Sequence, residues 1–252
     1  ALRSGDELSR AKLTREVNTT PPEISYLRAF SLEQSGRKDE AVRVYQSIPD
    51  NIGSYYGALS TARLQKLGGV GRASATLREN RVRSEVGRGA GDYPAPHREI
   101  ILRSVAGRGV DPRFLLAIMR QESGFNARAK SPAAARGLLQ LTPEIAAKYA
   151  PQVNIPAPLD EDLYRPEVNI LLGSAYLSEL SRMFPGLTEA VAASYNGGEE
   201  NVARWVRRAV HKDPGIFTTE VGFTESKDYV NKVMANFRAY KLLYTEDLRP
   251  RR

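Results

Sequence analysis

Glu122 stands at the end of an apolar stripe and is followed at once by a Ser-Gly pair, within the stretch "AIMRQESGFNARAKSPAAARGLLQLTP" that runs from Ala117 to Pro143. Leu115, Ile118, Met119 and Glu122 fall at steps of three, four and seven, which puts the carboxylate on a helix face with three apolar side chains. Such a group is partly desolvated and lies near the negative end of the helix dipole; both effects favour its protonated form. A carboxyl with a raised pKa is what general acid catalysis near neutral pH requires. The same position also suits a solvated helix end or an ion pair with Arg120 or Arg128, and the residue's place alone leaves these readings level.

The segment that follows, "KSPAAARGLLQLTP", holds too much Ala and Leu for a solvated loop, yet Ser131, Gln140 and Thr142 interrupt it with neutral polar groups. Short polar side chains in apolar surroundings suit a sugar-binding cleft, where hydroxyls and acetamides demand oriented hydrogen bonds without a full charge. Composition closes off other chemistries. There is no cysteine, hence no disulfide, thiolate ligand or cysteine nucleophile. His97 and His211 are the two histidines and read as solvated loop residues, so no metal site, His-based triad or cofactor is expected.

Lys and Arg number 37 against 29 Asp and Glu, a net charge of +8 that suits an anionic polymer or surface as partner. The densest basic run, "RENRVRSEVGR", is broken by acids and carries no aromatic residue for base stacking; it reads as a solvated face, and no nucleic-acid partner is expected. No apolar run approaches the roughly 20 residues of a membrane-spanning helix. The chain opens at Ala1 without an apolar leader, so the expectation is that any export signal was removed or never present.

The elements that must position Glu122 are helices throughout, because long segments show helical periodicity and short alternating runs are absent. An all-α fold is expected. "EISYLRAFSLEQSGRKDEAVRVYQSIPD" forms two stripes, Ile24, Leu27 and Phe30, then Ala41, Val44, Tyr45 and Ile48, parted at Ser35-Gly36: a helical hairpin. Gly36, Ala41 and Tyr45 are placed as in one tetratricopeptide-type repeat, though no second copy follows. "SYYGALSTARLQKLGG" supplies another helix that stops at Gly68-Gly69, and "GRGAGDYPAP", Gly87 to Pro96, is the expected domain boundary. Beyond it, helices are expected over about 98–106, 112–121, 143–149, 166–183, 188–196, 199–210 and 226–244. Asp111-Pro112 is a strong start for the second of these, and Ser123-Gly124 ends it.

"RQESGFNARAKSPAAARGLLQLTP" resembles the catalytic signature of Slt-type soluble lytic murein transglycosylases, glycoside hydrolase family 23, in which an E-S pair precedes S-P-x-G-A-x-G-L-M-Q. "RPEVNILLGSAYLSEL" resembles the family's D-P-x-x-N-I-x-x-G-x-x-Y-L helix, "AASYNGG" its A-Y-N-A-G motif and "TESKDYVNKV" its E-T-x-x-Y-V segment. The four motifs stand in order over Tyr93 to about Tyr244. "SYYGALSTARL" is similar to a helical segment of the superhelix that precedes the catalytic domain in this family. The resemblance implies a superhelix-like N-terminal domain over 1–92, a truncated or partial one, and a lysozyme-like domain over 93–252.

It also implies a mechanism. Glu122 would protonate the oxygen between N-acetylmuramic acid and N-acetylglucosamine, with the substrate's acetamide stabilising the oxocarbenium-like centre. The same carboxylate would then take the C6 hydroxyl proton as that oxygen closes on C1, giving a 1,6-anhydro product without water. Ser131, Gln140, Tyr195, Asn196 and Tyr229 take the family's positions for sugar contact or for orienting the acid. Read from the residues alone, Tyr195 suits the core and Asn196 a turn cap, while Tyr229 shares an apolar stripe with Val233 and Phe237. An accessory acid falls at Thr219 or Glu220, depending on one gap. Leu139 and Thr142 replace the family's methionines, and Ala134 stands where glycine is common. The expected partner is peptidoglycan, in the periplasm or outside the cell. A goose-type, water-adding muramidase and a noncatalytic glycan-binding scaffold are the rival readings.

Overall fold

The structure, a computed structural model, describes residues 18–209 and 212–251; His211 and the end of the helix expected over 199–210 lie outside the described residues. Those residues form twelve α-helices joined by loops and three short 3-10 turns, with isolated β-bridges but no sheet.

In the N-terminal part, the Thr20 hydroxyl accepts a hydrogen bond from Glu23 N at 3.4 Å, and Pro21 and Pro22 fill first-turn positions that need no amide hydrogen, which starts α1 (Pro21–Gln34). Gly36, with φ of +78°, turns the chain into α2 (Lys38–Ser47). Tyr26, Ala29 and Leu32 of α1 pack with Ala41, Tyr45 and Ile48 in one buried cluster. The expected stripe differs by part of a turn. Leu27 is half-buried while Tyr26 is 1% exposed, because its hydroxyl finds the Asp213 carboxylate at 3.1 Å and so carries no unsatisfied group into the core. Helix α3 (Tyr55–Leu67) is capped by Ser54 and ends at Gly68, whose φ of +75° lets α4 (Gly69–Arg88) begin immediately.

Helix α4 corrects one expectation. "RENRVRSEVGR" is not wholly a solvated face, since Arg78, Val82 and Val86 are buried. The Arg78 guanidinium donates to Thr61 Oγ1 at 2.6 Å, Ile48 O at 2.8 Å and Gln46 O and Gly57 O at 3.2 Å each. Carbonyls left open where α2 ends and two acceptors on α3 absorb its donors, so the charge is buried with its hydrogen bonds made.

The remaining helices are α5 (Arg98–Val105), α6 (Pro112–Ser123), α7 (Pro143–Tyr149), α8 (Pro166–Met183), α9 (Thr188–Gly197), α10 (Glu199–Arg208), α11 (Pro214–Glu220) and α12 (Thr224–Leu243). Helix α11 is absent from the sequence reading, although α7, equally short, is expected there. Its start signal is nonetheless the one found before α6, an Asp-Pro pair in which Asp213 accepts from Gly215 N at 2.9 Å and Ile216 N at 3.1 Å.

Helix α6 lies at the centre of the larger core, with Leu115, Leu116, Ala117, Ile118 and Met119 all at 0% exposure among side chains of α8, α9 and α12. Each large apolar side chain so buried contributes roughly 1.5–3 kcal/mol, which fixes the helix that carries Glu122. Helix α12 serves both parts of the molecule. Val230, Val233 and Tyr240 lie in the larger core, Ala239 packs with Val82 and Val86 of α4, and Met234 also touches the N-terminal cluster. Ion pairs cross the same seam: Arg238 to Asp50 at 2.6 Å, Arg63 to Asp213 at 2.9 Å and Lys227 to Glu23 at 3.0 Å. No helix of the described residues is long and apolar enough to cross a membrane.

Candidate active site

The Asp111 carboxylate accepts from Arg113 N at 2.8 Å to start α6, and Gly124, with φ of +55°, stops it. Glu122 therefore sits in the last turn, half-buried beyond the fully buried stretch of the helix. Burial pushes its pKa up from 4.5 to about 7, and the Tyr229 hydroxyl, donating to Oε1 at 2.6 Å, pulls the other way by stabilising the ionised form. Neither neighbouring arginine pairs with it: Arg120 lies over the Tyr93 ring and donates to Asp92 O, and Arg128 lies over the Tyr164 ring.

The loop 125–142 folds on itself beside Glu122. Bridges join Lys130 to Arg136 and Arg136 to Leu141, while Leu138, Leu139 and Leu141 are buried and anchor the loop to the core. Ser131 accepts from Ala135 N at 3.1 Å, and Gln140 donates through Nε2 to Ala129 O at 3.2 Å and Gly137 O at 2.9 Å. Both of these side chains thus shape the loop through hydrogen bonds to its backbone. Thr142 has an evident task in place of an apolar side chain: its hydroxyl caps α7, accepting from Ile145 N at 3.3 Å. Ala134, where glycine is common, takes φ of +61°, a left-handed conformation that strains an L side chain. Gly137 is required by both space and φ, since at +77° a Cβ there would collide with Leu163 O.

Tyr195 of α9 donates to Leu139 O at 2.7 Å and stacks on Tyr176 of α8, centroids 5.1 Å apart, which in turn meets Tyr149 at 5.1 Å. Burial and the nearby Glu122 carboxylate hold the Tyr195 hydroxyl protonated. Asn196 is exposed at the end of α9, its Oδ1 accepting from Ser226 Oγ at 2.7 Å. Glu122, Tyr229 and Tyr195 thus gather from α6, α12 and α9. Glu220 is turned elsewhere: it pairs with Arg208 at 3.2 Å. Thr219 donates to Ile216 O within α11. A cavity of about 500 Å³ is lined by Gln121 and Gly124, which flank Glu122 in the chain, together with Tyr93, Arg120, Asn231 and Lys232, and the Glu122 side chain is not part of its wall. Among the described residues, no group of three or more His, Asp or Glu is placed to hold a metal ion.

Two supports have no assigned role in the sequence reading. Asn169, 0% exposed within α8, accepts from Leu139 N at 2.8 Å and donates to Arg136 O at 3.0 Å and Leu163 O at 2.8 Å, so one side chain pins the loop at both ends of Gly137-Leu138. Its signal is a lone amide inside the apolar run "EVNILLG". Ser123 Oγ donates to Leu138 O at 2.8 Å and fastens the loop to the residue after the acid.

A match to the transglycosylase SLT domain covers residues 99–217. Those residues belong to the transglycosylase SLT domain family. A protein of Haemophilus influenzae assigned as a soluble lytic murein transglycosylase is 36% identical over 155 residues, 61% of this chain and 26% of that one. Soluble lytic murein transglycosylase of Escherichia coli is 30% identical over 151 residues, 59% of this chain and 23% of the relative. The solved structure of an inactive mutant of lytic transglycosylase Slt from Pseudomonas aeruginosa superposes with a TM-score of 0.70 at 25% identity, covering 96% of this chain and 50% of that one. The chain therefore spans about a quarter of the length of these curated relatives and half of the solved one. The SLT domain match begins in α5 and ends in α11, so it contains Glu122, Ser131, Gln140, Tyr195 and Asn196 but stops short of Glu220 and Tyr229.

Proposed function

We propose that this chain is a lytic transglycosylase, or the catalytic part of one, that cleaves the β-1,4 bond between N-acetylmuramic acid and N-acetylglucosamine in peptidoglycan. The carrying observation is Glu122: a carboxyl whose burial holds its proton to about pH 7, with a phenol hydroxyl at 2.6 Å ready to stabilise the anion. A residue that acts first as acid and then as base needs a pKa near the working pH. Two-carboxylate glycosidases place a second acid across the scissile bond. Burial and Tyr229 are the causes of the Glu122 shift, with no second acid among them.

In the first step Glu122 gives its proton to the glycosidic oxygen, the C1–O bond of the muramic residue breaks, and the substrate's acetamide oxygen supports the charge at C1. In the second step the Glu122 carboxylate takes the C6 hydroxyl proton, and that oxygen bonds C1 to close the 1,6-anhydro ring. Proton and oxygen balance without water. Tyr229 stabilises the carboxylate between the steps, and Tyr195 holds Leu139 at the cleft wall. Ser131 and Gln140 shape the loop that faces the sugars, Asn196 offers its exposed amide to them, and Glu220 acts only at the rim. Residues 93–252 form the catalytic unit and residues 1–92 the N-terminal helical unit in this reading. A net charge of +8 suits the anionic wall polymer, in the periplasm or outside the cell, and no nucleic acid, metal or cofactor is called for.

Two findings support the reading: the SLT domain match and the inactive glutamate-to-glutamine mutant that represents the solved Pseudomonas relative. The test is incubation of purified chain and its Glu122→Gln variant with sacculi. Release of muropeptides by the parent at a rate at least a hundredfold above the variant is expected, and equal rates would remove Glu122 from its role.

A further inference from the structure

Lys227 is a cation at 4% exposure in the first turns of α12, and each hydrogen of its ammonium has an acceptor in a different segment. Nζ donates to Asn18 O ahead of α1 at 2.7 Å, to Glu23 Oε1 in α1 at 3.0 Å and to Thr219 O near the end of α11 at 3.4 Å. Glu23 is 2% exposed and has its other oxygen, Oε2, without a partner. Such a pair, well buried and incompletely satisfied, is a weak source of stability, because desolvation offsets most of its attraction. What it does fix is geometry. Residues two apart on a helix point about 200° apart, so Lys227 grips α12 on the side away from Tyr229. Ser226, the residue before Lys227, donates to Asn196 Oδ1 at 2.7 Å.

We propose that Lys227, paired with Glu23, is a positioning residue: anchored in the N-terminal helices, it sets the roll of α12 and through it the Tyr229–Glu122 hydrogen bond. The proposal rests on the reading of Glu122 as the acid. The bond has little slack. At the helix surface, about 6 Å from the axis, a roll of ~10° moves a group by ~1 Å, enough to carry a short bond out of range. The N-terminal helices would therefore set how readily the acid ionises, although none of their side chains lies on it. The ionisable groups around this device are few. Glu23 faces Lys227 from α1 and Tyr56 of α3 lies by Glu23; Glu122 is faced by Tyr229 from α12 and Tyr195 from α9, with Tyr176 of α8 next to both tyrosines.

The test uses the full chain without substrate, following the Glu122 carboxyl by carbon-13 NMR as pH is raised. Removing both partners, Glu23→Gln with Lys227→Met, avoids a lone buried charge. The expected result is a midpoint raised by about one pH unit, a tenfold fall in the acid dissociation constant, because the Tyr229 bond that stabilises the anion is lost. Lys227→Arg restores the original midpoint. The shift disappears when the pair is removed in a Tyr229→Phe background, a non-additivity that a merely structural role does not give. If the double variant fails to fold, Glu23→Asp, which keeps the charge pair but shortens its reach, moves the midpoint the same way by a smaller amount. An unmoved midpoint in a folded variant, or an undiminished shift in the Tyr229→Phe background, overturns the clamp. A shifted midpoint in a chain that releases no muropeptide supports the clamp and counts against the proposed activity.

Discussion

Replacing Glu122 with Gln should make the protein more stable in alkaline solution. In the folded chain burial holds the Glu122 proton to about pH 7, whereas the unfolded chain releases it at the ordinary 4.5. Between those values the unfolded state has lost a proton that the folded state keeps, so rising pH favours unfolding. The contribution of this group is intact below pH 4.5 and gone above pH 7. A gap of that size, at about 1.36 kcal/mol per pKa unit, gives ~3 kcal/mol in full, and partial access of water to the carboxyl reduces it to ~2 kcal/mol between pH 5 and 8.5. Gln has no charge to bury and keeps an oxygen that can accept from Tyr229. Urea unfolding of both proteins at the two pH values measures the difference. An advantage of Gln that grows by ~2 kcal/mol toward pH 8.5 is expected. Parallel curves, with the variant's advantage constant to within about 0.5 kcal/mol, would refute the desolvated acid.

Tyr229→Phe removes the donor at 2.6 Å from Glu122 and so raises the pKa of the acid; the alkaline limb of kcat/KM should move up by about one pH unit while kcat falls, as read from pH profiles of murein release. Ala134→Gly relieves a left-handed residue at φ of +61° and should raise the urea midpoint by the equivalent of ~0.5–1 kcal/mol with murein release retained. A lower midpoint would show that the loop is not strained there.

How much of this is legible in the sequence depends on the distance between partners. Helix α6 and both its ends can be read directly, because Asp111-Pro112 and Ser123-Gly124 act within one turn and the apolar spacing lies inside the helix itself. The loop's buried leucines are legible from composition alone. The hydrogen bond between Tyr229 and Glu122 spans 107 residues, so no local pattern pairs them, and Tyr229 is singled out in the sequence only by its place in the "TESKDYVNKV" resemblance. Asn169 and Arg78 are hidden for the same reason. Each reads locally as an unremarked polar residue, and its value lies in backbone groups 6 to 33 residues away. Helix α11 goes unread although its Asp213-Pro214 start repeats the signal that identifies α6.

Mass spectrometry of muropeptides released from purified sacculi tests the proposed chemistry most directly, since an anhydro end and a reducing end differ by one water. The parent chain is predicted to yield 1,6-anhydro-muramic ends and the Glu122→Gln variant almost no product. Reducing ends from the parent would instead mark a hydrolase. Product from the variant in parental amounts would contradict the assignment of Glu122 as the single acid and base.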